Sequence, residues 1–366
     1  MGYWEKMVSK TLQSRDYQDR VVNKTIEHFK NDIPSVGIVS PTGSGKTIMA
    51  MRFLKHLNDN HSDLMISWVA MRRQLLRQAA ETNNEMFGLK NITFVSMFDN
   101  NPPPANVIVI DELQHSATES FNHIANCELK FLLGMSATPF RTDKLKVPFN
   151  KIIQDSGIHR LIQEGWLSPY EHWCMEEYTP KTVAQAYLKD MDRWGKSVVF
   201  FHQIHQCEEF QNYLSNAGVQ CEVVKGASTN AFRENQLDQF EEGKYPVIAN
   251  VAILTEGFDC PDLKTVFCRD SAKLPTIQMS GRGFRIAEGK THCNIVQSKM
   301  SKWQFTRTAK PKRSWVQKEG KWFALGSNAK VNQIVRDMVH KLVSIEVEMP
   351  KFILKNRAKK RIFERQ

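Results

Sequence analysis

The stretch VGIVSPTGSGKTIMAMRFLKHL, residues 36–57, restricts the fold more than any other. Val36 to Ser40 is a short apolar run that reads as a buried strand, and after the glycine-rich turn Ile48, Met51, Leu54 and Lys55 recur at helical spacing. A strand that delivers such a turn and a helix that receives it form a phosphate cradle. Gly43 and Gly45 let backbone N–H groups close around phosphate oxygens, Lys46 supplies a cation for the β and γ phosphates, and the Thr47 hydroxyl can ligate magnesium. The strict pattern G-x-x-x-x-G-K-[ST] begins with glycine where this chain has Ser40, but a small residue suffices at the strand end and no phosphate donor is lost. ATP and Mg2+ are the expected ligands, with Pro41, Thr42, Gly43, Ser44, Gly45, Lys46 and Thr47 around the phosphates.

Such a loop serves many chemistries, so the acids decide. In NVIVIDELQHSAT, residues 106–118, four branched residues from Val107 to Ile110 make a strand of the kind buried in parallel sheets. Asp111 and Glu112 emerge at its C-terminal end, where open α/β sheets place their ligands. Asp111 is expected to hold Mg2+ and Glu112 to orient and deprotonate an attacking water.

The pattern of strand followed by polar signal repeats along the 366 residues, a length that suits two domains. LMISWVA (64–70), ITFVSM (92–97) and KFLLGM (130–135) read as strands of a first doubly wound α/β half. SVVFFH (197–202), VQCEVVKG (219–226), PVIANVAI (246–253), TVFCRD (265–270) and HCNIVQ (292–297) read as those of a second, without a phosphate loop of its own. The break near Gly165, Ser168 and Pro169 predicts domains at 1–165 and 166–300. No apolar run of 18 or more residues and no apolar N-terminal signal is present, so a cytoplasmic protein is expected, nucleoid-associated or in the host cytoplasm if phage-encoded. The seven cysteines form no C-x-x-C pair, which argues against a zinc ribbon or disulfide framework.

The ordered series from Arg15 to Ile286 resembles the superfamily 2 helicases and translocases. RDYQ (15–18) resembles the adenine-reading Q motif, SPTGSGKT motif I, VAMRRQLLRQ (69–78) motif Ia, DELQ motif II and SATPFR (136–141) motif III. VVFFHQIHQCEEF, ILTEGFDCPDL (253–263) and QMSGRGFR (278–285) are similar to motifs IV, V and VI, and the wording TEGFDCPDL and SATPFR is most similar to the compact DNA translocases of phages, restriction enzymes and excision-repair helicases. The resemblance implies two tandem RecA-like domains, each a doubly wound parallel sheet, that hydrolyse ATP between them. It implies that Arg15 and Gln18 read adenine, that Gly257 and Asp259 reach the nucleotide, and that Gln278, Arg282 and Arg285 share a helix face from which the two arginines act as fingers on the γ phosphate. Ser136 and Thr138 resemble the hydroxyl pair that couples the ATP site to nucleic acid, while Arg72, Arg73, Ser96 and Thr255, with Gly257 again, fall where the family grips the phosphate backbone. Motif II departs from the usual His or Asp at its fourth position, with Gln114 followed by His115, which predicts altered coupling rather than lost hydrolysis.

Charge singles out the C-terminal segment. Residues 301–366 carry 17 Lys plus Arg against 5 Asp plus Glu, a net of +12, which leaves −1 of the total +11 for the first 300. Aromatics interleave with these cations, so a basic extension with Trp303, Trp315 and Trp322 at a nucleic-acid surface is expected. The resulting expectation is an ATP-dependent DNA helicase or translocase acting as a monomer on DNA rather than RNA, with protein partners possible and no membrane. An RNA helicase and a non-unwinding motor subunit or clamp are the alternatives.

Overall fold

The computed structural model describes residues 15–61, 63–99, 102–112, 129–137, 149–255 and 258–325. In the first half β1 (Ser35–Val39), β2 (Ile66–Ala70), β3 (Ile92–Ser96), β4 (Val107–Ile110), β5 (Phe131–Ser136) and β6 (Lys151–Ile153) form a parallel sheet in the order β3-β2-β4-β5-β1-β6. Strands β1, β2, β4 and β5 are buried along their whole length. Their apolar runs follow from this, since a parallel sheet covered on both faces has no side turned to water. Among the described residues, helices α1 (Asp16–Lys30), α2 (Lys46–Asn60) and α3 (Arg73–Thr82) accompany the sheet. Met49, Phe53 and Leu54 of α2 pack with Val36, Trp68 and Leu133, while Val69, Ile108, Ile110 and Leu132 form a separate cluster.

The second sheet runs β14-β13-β7-β12-β11-β8-β10-β9. Its strands are β7 (Tyr170–Met175), β8 (Ser197–Phe200), β9 (Cys221–Val224), β10 (Val247–Asn250), β11 (Thr265–Cys268), β12 (Cys293–Ser298), β13 (Arg313–Lys318) and β14 (Lys321–Ala324). All neighbours are parallel except β13 and β14. The helices are α4 (Ile158–Gln163), α5 (Pro180–Lys189), α6 (Met191–Trp194), α7 (Ile204–Asn216), α8 (Asn230–Glu241) and α9 (Lys273–Gly281). Val198 and Phe200 enter one buried cluster and Val199 and Phe201 the other, so this sheet too is covered on both faces.

The first sheet ends with Ile153, and Ile158 and Leu161 of α4 pack in the cluster that holds the second half's strands. The segment from 301 onward does not begin as a separate extension. Residues 313–324 form a hairpin whose first strand pairs with β7. Its loop, Glu319 at φ 51 and Gly320 at φ 70, has the left-handed pair that a two-residue hairpin requires.

Trp315 and Trp322, expected at a nucleic-acid surface, are half-buried and pack on the sheet. Trp315 stacks on Trp173 at 4.7 Å and 4°, and Trp322 meets the same ring edge-on at 5.1 Å. The indole N–H of Trp315 donates to Glu171 at 2.8 Å. Trp303 lies elsewhere, between the Lys273 ammonium at 5.2 Å and the Arg307 guanidinium at 5.4 Å.

Candidate active site between the two halves

Sheet register brings the phosphate loop and the acids to one edge. Val39 pairs with Ser136 and Ile110 with Gly134, so the loop after β1 and the acids after β4 leave the same end of the sheet with β5 between them. The Ser40 N–H donates to the Ser136 carbonyl at 3.0 Å, which ties the start of the loop to the expected coupling strand. Gly43 and Gly45 adopt φ of 81° and 80°, and Gly45 is the N-cap of α2, so the loop ends at a helix N-terminus suited to an anion. The Ser44 hydroxyl is buried with no hydrogen-bond partner among the described residues. Such an orphan beside two left-handed glycines fits a phosphate group, whose oxygens would accept its proton.

The charged groups stand around this cradle. Lys46 is buried, with its Nζ 4.0 Å from Glu112 Oε1. Asp111 is 5% exposed, and its Oδ1 accepts the Glu112 N–H at 2.9 Å. Glu112 has φ 49°, a left-handed backbone that costs a residue with a Cβ about 1–2 kcal/mol. Strain of that kind is held where structure over-determines it, here where the chain must turn a carboxylate back toward Lys46. Among the described residues no cluster of three His, Cys, Asp or Glu forms a metal site. A divalent cation held between Thr47 and Asp111 would complete its shell with water and phosphate oxygens.

Gln18 lies beside the phosphate loop. Its Nε2 donates to the Ser44 carbonyl at 2.8 Å and lies 3.4 Å from the Tyr17 hydroxyl, so this donor ties the expected adenine reader to the phosphate loop. Tyr17, which sequence reasoning passed over, donates to the same carbonyl at 2.5 Å while its ring packs in the second half's core. Burial is the main reason its phenol is raised above the usual range. Arg15 lies over the Trp166 ring at 5.4 Å, a residue whose only sequence signal was its place in the polar break GWLSP.

This packing makes Gly45 intolerant of a side chain, since a methyl there would sit 2.6 Å from Gln18 Nε2. Gly45→Ala is expected to lose about 1–2 kcal/mol from the left-handed backbone alone. Displacement of Gln18 adds to that loss, and nucleotide binding should weaken with it. Thermal melting and nucleotide titration check this, and an alanine variant with an unchanged midpoint contradicts the packing.

The second half presents its cations to the loop, though not as one helical face. Helix α9 stops at Gly281, Arg282 to Phe284 form a 3-10 turn, and Arg285 is extended at ψ 142°. Glycine at 281 and 283 disfavours a continued helix, which corrects the expected arrangement of Gln278, Arg282 and Arg285. Gln278 and Arg282 are buried, and Arg282 Nη1 donates to the Phe258 carbonyl at 2.7 Å. Arg285 is half-exposed and ion-paired with Asp259, so Asp259 faces an arginine where a ribose contact was expected. A methyl at Gly43 would lie 3.9 Å from Arg285 Cγ, and one at Gly281 only 3.0 Å from Thr42 Cβ, so the two halves meet at the phosphate loop.

The family model described as type III restriction enzyme, res subunit, matches residues 11–101, and the helicase conserved C-terminal domain matches residues 180–287. The chain belongs to the superfamily 2 helicases. It is 24% identical over 352 residues to the Saccharomyces cerevisiae protein named as ATP-dependent helicase IRC3, covering 77% of this chain and 51% of that one. It is 24% identical over 373 residues to the type I restriction enzyme EcoAI endonuclease subunit of Escherichia coli, covering 78% and 46%. The chain thus spans about half the length of these relatives. The fold matches the structure of a fragment of a type I restriction HsdR subunit from Vibrio vulnificus with a TM-score of 0.64 at 20% identity, over 84% of this chain and 70% of that one. The chain has two RecA-like halves.

The remaining expected residues are scattered. Arg72, expected to grip the nucleic-acid backbone, donates from Nη1 to the Ile253 carbonyl at 2.7 Å across the two halves. Arg73 is exposed at the start of α3, and the Ser96 hydroxyl at the end of β3 accepts the Phe98 N–H at 3.3 Å. Gln114, His115, Thr138, Gly257 and the Thr255 side chain lie outside the described residues. No helix among the described residues is long and apolar enough to cross a membrane.

Proposed function

We propose that this helicase-family chain is an ATP-driven DNA motor, which hydrolyses ATP between its halves and uses their closing and reopening to move along or remodel DNA. The observation that carries this reading is Arg285, a second-half cation beside the first half's phosphate loop with an acid partner it can exchange. Lys46 holds the β and γ phosphates, Glu112 orients the water and accepts its proton, and Ser136 ties the loop to the C-terminal end of β5. Mg2+ held through Thr47 and Asp111 would neutralise phosphate charge when bound. On closure Arg285 exchanges Asp259 for the γ phosphate, and Arg282 fixes the backbone from which it projects.

DNA is favoured over RNA by the wording of motifs III and V and by the likeness to restriction-enzyme subunits. Arg73, Ser96, Thr255 and Trp303 are the proposed contacts. Steady-state ATP turnover at one low salt concentration, with no nucleic acid, single-stranded DNA, duplex DNA or RNA, tests the reading. Stimulation by DNA and not by RNA is expected. Stimulation by RNA alone would move the assignment to an RNA helicase, and no turnover in any condition would favour a partner-dependent subunit or clamp.

A further inference from the structure

Three cations of the segment 282–290 reach the loop 258–261, each at a different residue. Arg282 donates to the Phe258 carbonyl at 2.7 Å and Arg285 pairs with the Asp259 carboxylate. Lys290 donates from Nζ to the Pro261 carbonyl at 3.0 Å and also to the Gly283 carbonyl at 2.8 Å, between the two arginines. The far end of the same loop is held separately, since Asp262 pairs with Lys196 at 2.6 Å. Of these described contacts, that of Arg285 is with a half-exposed carboxylate it can leave for a phosphate, and when it does so one of the three ties is lost.

We propose that Lys290 is a positioning residue for ATP hydrolysis, clamping the Asp259 loop to the Arg282–Arg285 turn so that both arginines keep their aim after Arg285 leaves Asp259. This rests on hydrolysis between the halves. The chemistry suits the role. An ammonium has three donors on a flexible stem, so it can satisfy two carbonyls from different segments without fixing a side-chain plane. Burial lowers the pKa of Lys290 from the ordinary lysine range, and neither carbonyl partner carries a charge to offset that cost. The arrangement is therefore maintained by its two hydrogen bonds rather than by an ion pair. Gly289, at φ 75°, turns the chain so that the Lys290 stem can run back under the turn.

The test compares the full chain with Lys290→Met, which keeps the stem and removes the donors, and Lys290→Arg, which restores donors. Lys290→Met should lower kcat by about tenfold or more, toward the hundredfold that a displacement of about 1 Å costs a catalytic group. KM for ATP should stay within about twofold, because the first half holds the phosphates. Lys290→Arg should recover most of the lost turnover. Amide exchange without nucleotide gives an independent reading, with faster exchange across 258–263 and 282–285 expected in Lys290→Met. Unchanged exchange, unchanged kcat, or a loss in which kcat, KM and melting fall together in both variants would overturn the proposal. Should Lys290→Met not fold, Lys290→Leu, which also lacks donors, carries the same comparison. Absence of turnover in the wild type counts against hydrolysis alone, because the exchange measurement still decides the role of Lys290.

Discussion

Replacing Glu112 by Gln is expected to lower ATP turnover by about 10²–10⁴-fold, the range that a positioned general base supplies, while nucleotide still binds. The substitution keeps the size of the side chain that stands 4.0 Å from Lys46 Nζ and keeps an oxygen that can orient water. It removes the capacity to accept a proton. Phosphate release and titration with a fluorescent nucleotide measure the two halves of this statement. Turnover within a few-fold of the wild type would mean that another group takes the proton. Loss of binding and turnover together would mean that the carboxylate shapes the loop rather than the reaction.

Arg285→Ala is expected to cost about 10³–10⁵-fold in turnover, as loss of an arginine finger does, with little change in melting temperature. The stability half follows from exposure. Its side chain is 36% exposed and that of Asp259 35%, and ion pairs near the surface contribute about 0–1 kcal/mol. Arg282→Ala separates from it physically, because Arg282 is 7% exposed and bonds the Phe258 carbonyl. Leaving that carbonyl unpaired costs about 1–3 kcal/mol, so this variant should melt earlier as well as hydrolyse slowly. Arg285→Lys is expected to recover only part of the rate, since an ammonium lacks the planar fork that spans two phosphate oxygens. A catalytic loss at Arg282 with full activity at Arg285 would reverse the roles given to the two arginines.

The parts of the fold that were legible in the sequence are those whose burial is uniform. Val107–Ile110 and Ser197–Phe200 read as strands because both faces of their sheets are covered, so the whole run is apolar. Strand β7 was missed because it carries Glu171 and His172 in its buried interior. Their partners come from distant strands: Trp315 donates to Glu171, and the His172 imidazole meets Gln297 of β12 at 3.2 Å. Burial holds His172 down at about 4, so it stays neutral in that layer at physiological pH. No local pattern announces such a strand. The β13–β14 hairpin was legible only in its turn, Glu319-Gly320, and the surrounding positive charge drew attention to composition instead.

The site divides in the same way. The loop from Ser40 to Thr47 and the pair Asp111-Glu112 are local words, each needing only one strand and the residues after it, and both could be read with their roles. What Gln18, Arg72, Asp259 and Arg285 touch depends on how two sheets meet. Gln18 donates to the Ser44 carbonyl and Arg72 to the Ile253 carbonyl, acceptors that only the assembled chain brings within reach. Lys290 gave no signal at all, being one lysine in a charged turn until the fold sets its ammonium between two carbonyls.

A crystal structure of the chain with Mg2+, ADP and a fluoride mimic of the γ phosphate tests the central claim most directly, because it shows whether both halves grasp one nucleotide. The account predicts Lys46 and Arg285 on the same fluoride group, with the Arg285–Asp259 ion pair broken. A nucleotide held by the first half alone, with Arg285 still on Asp259, would contradict it.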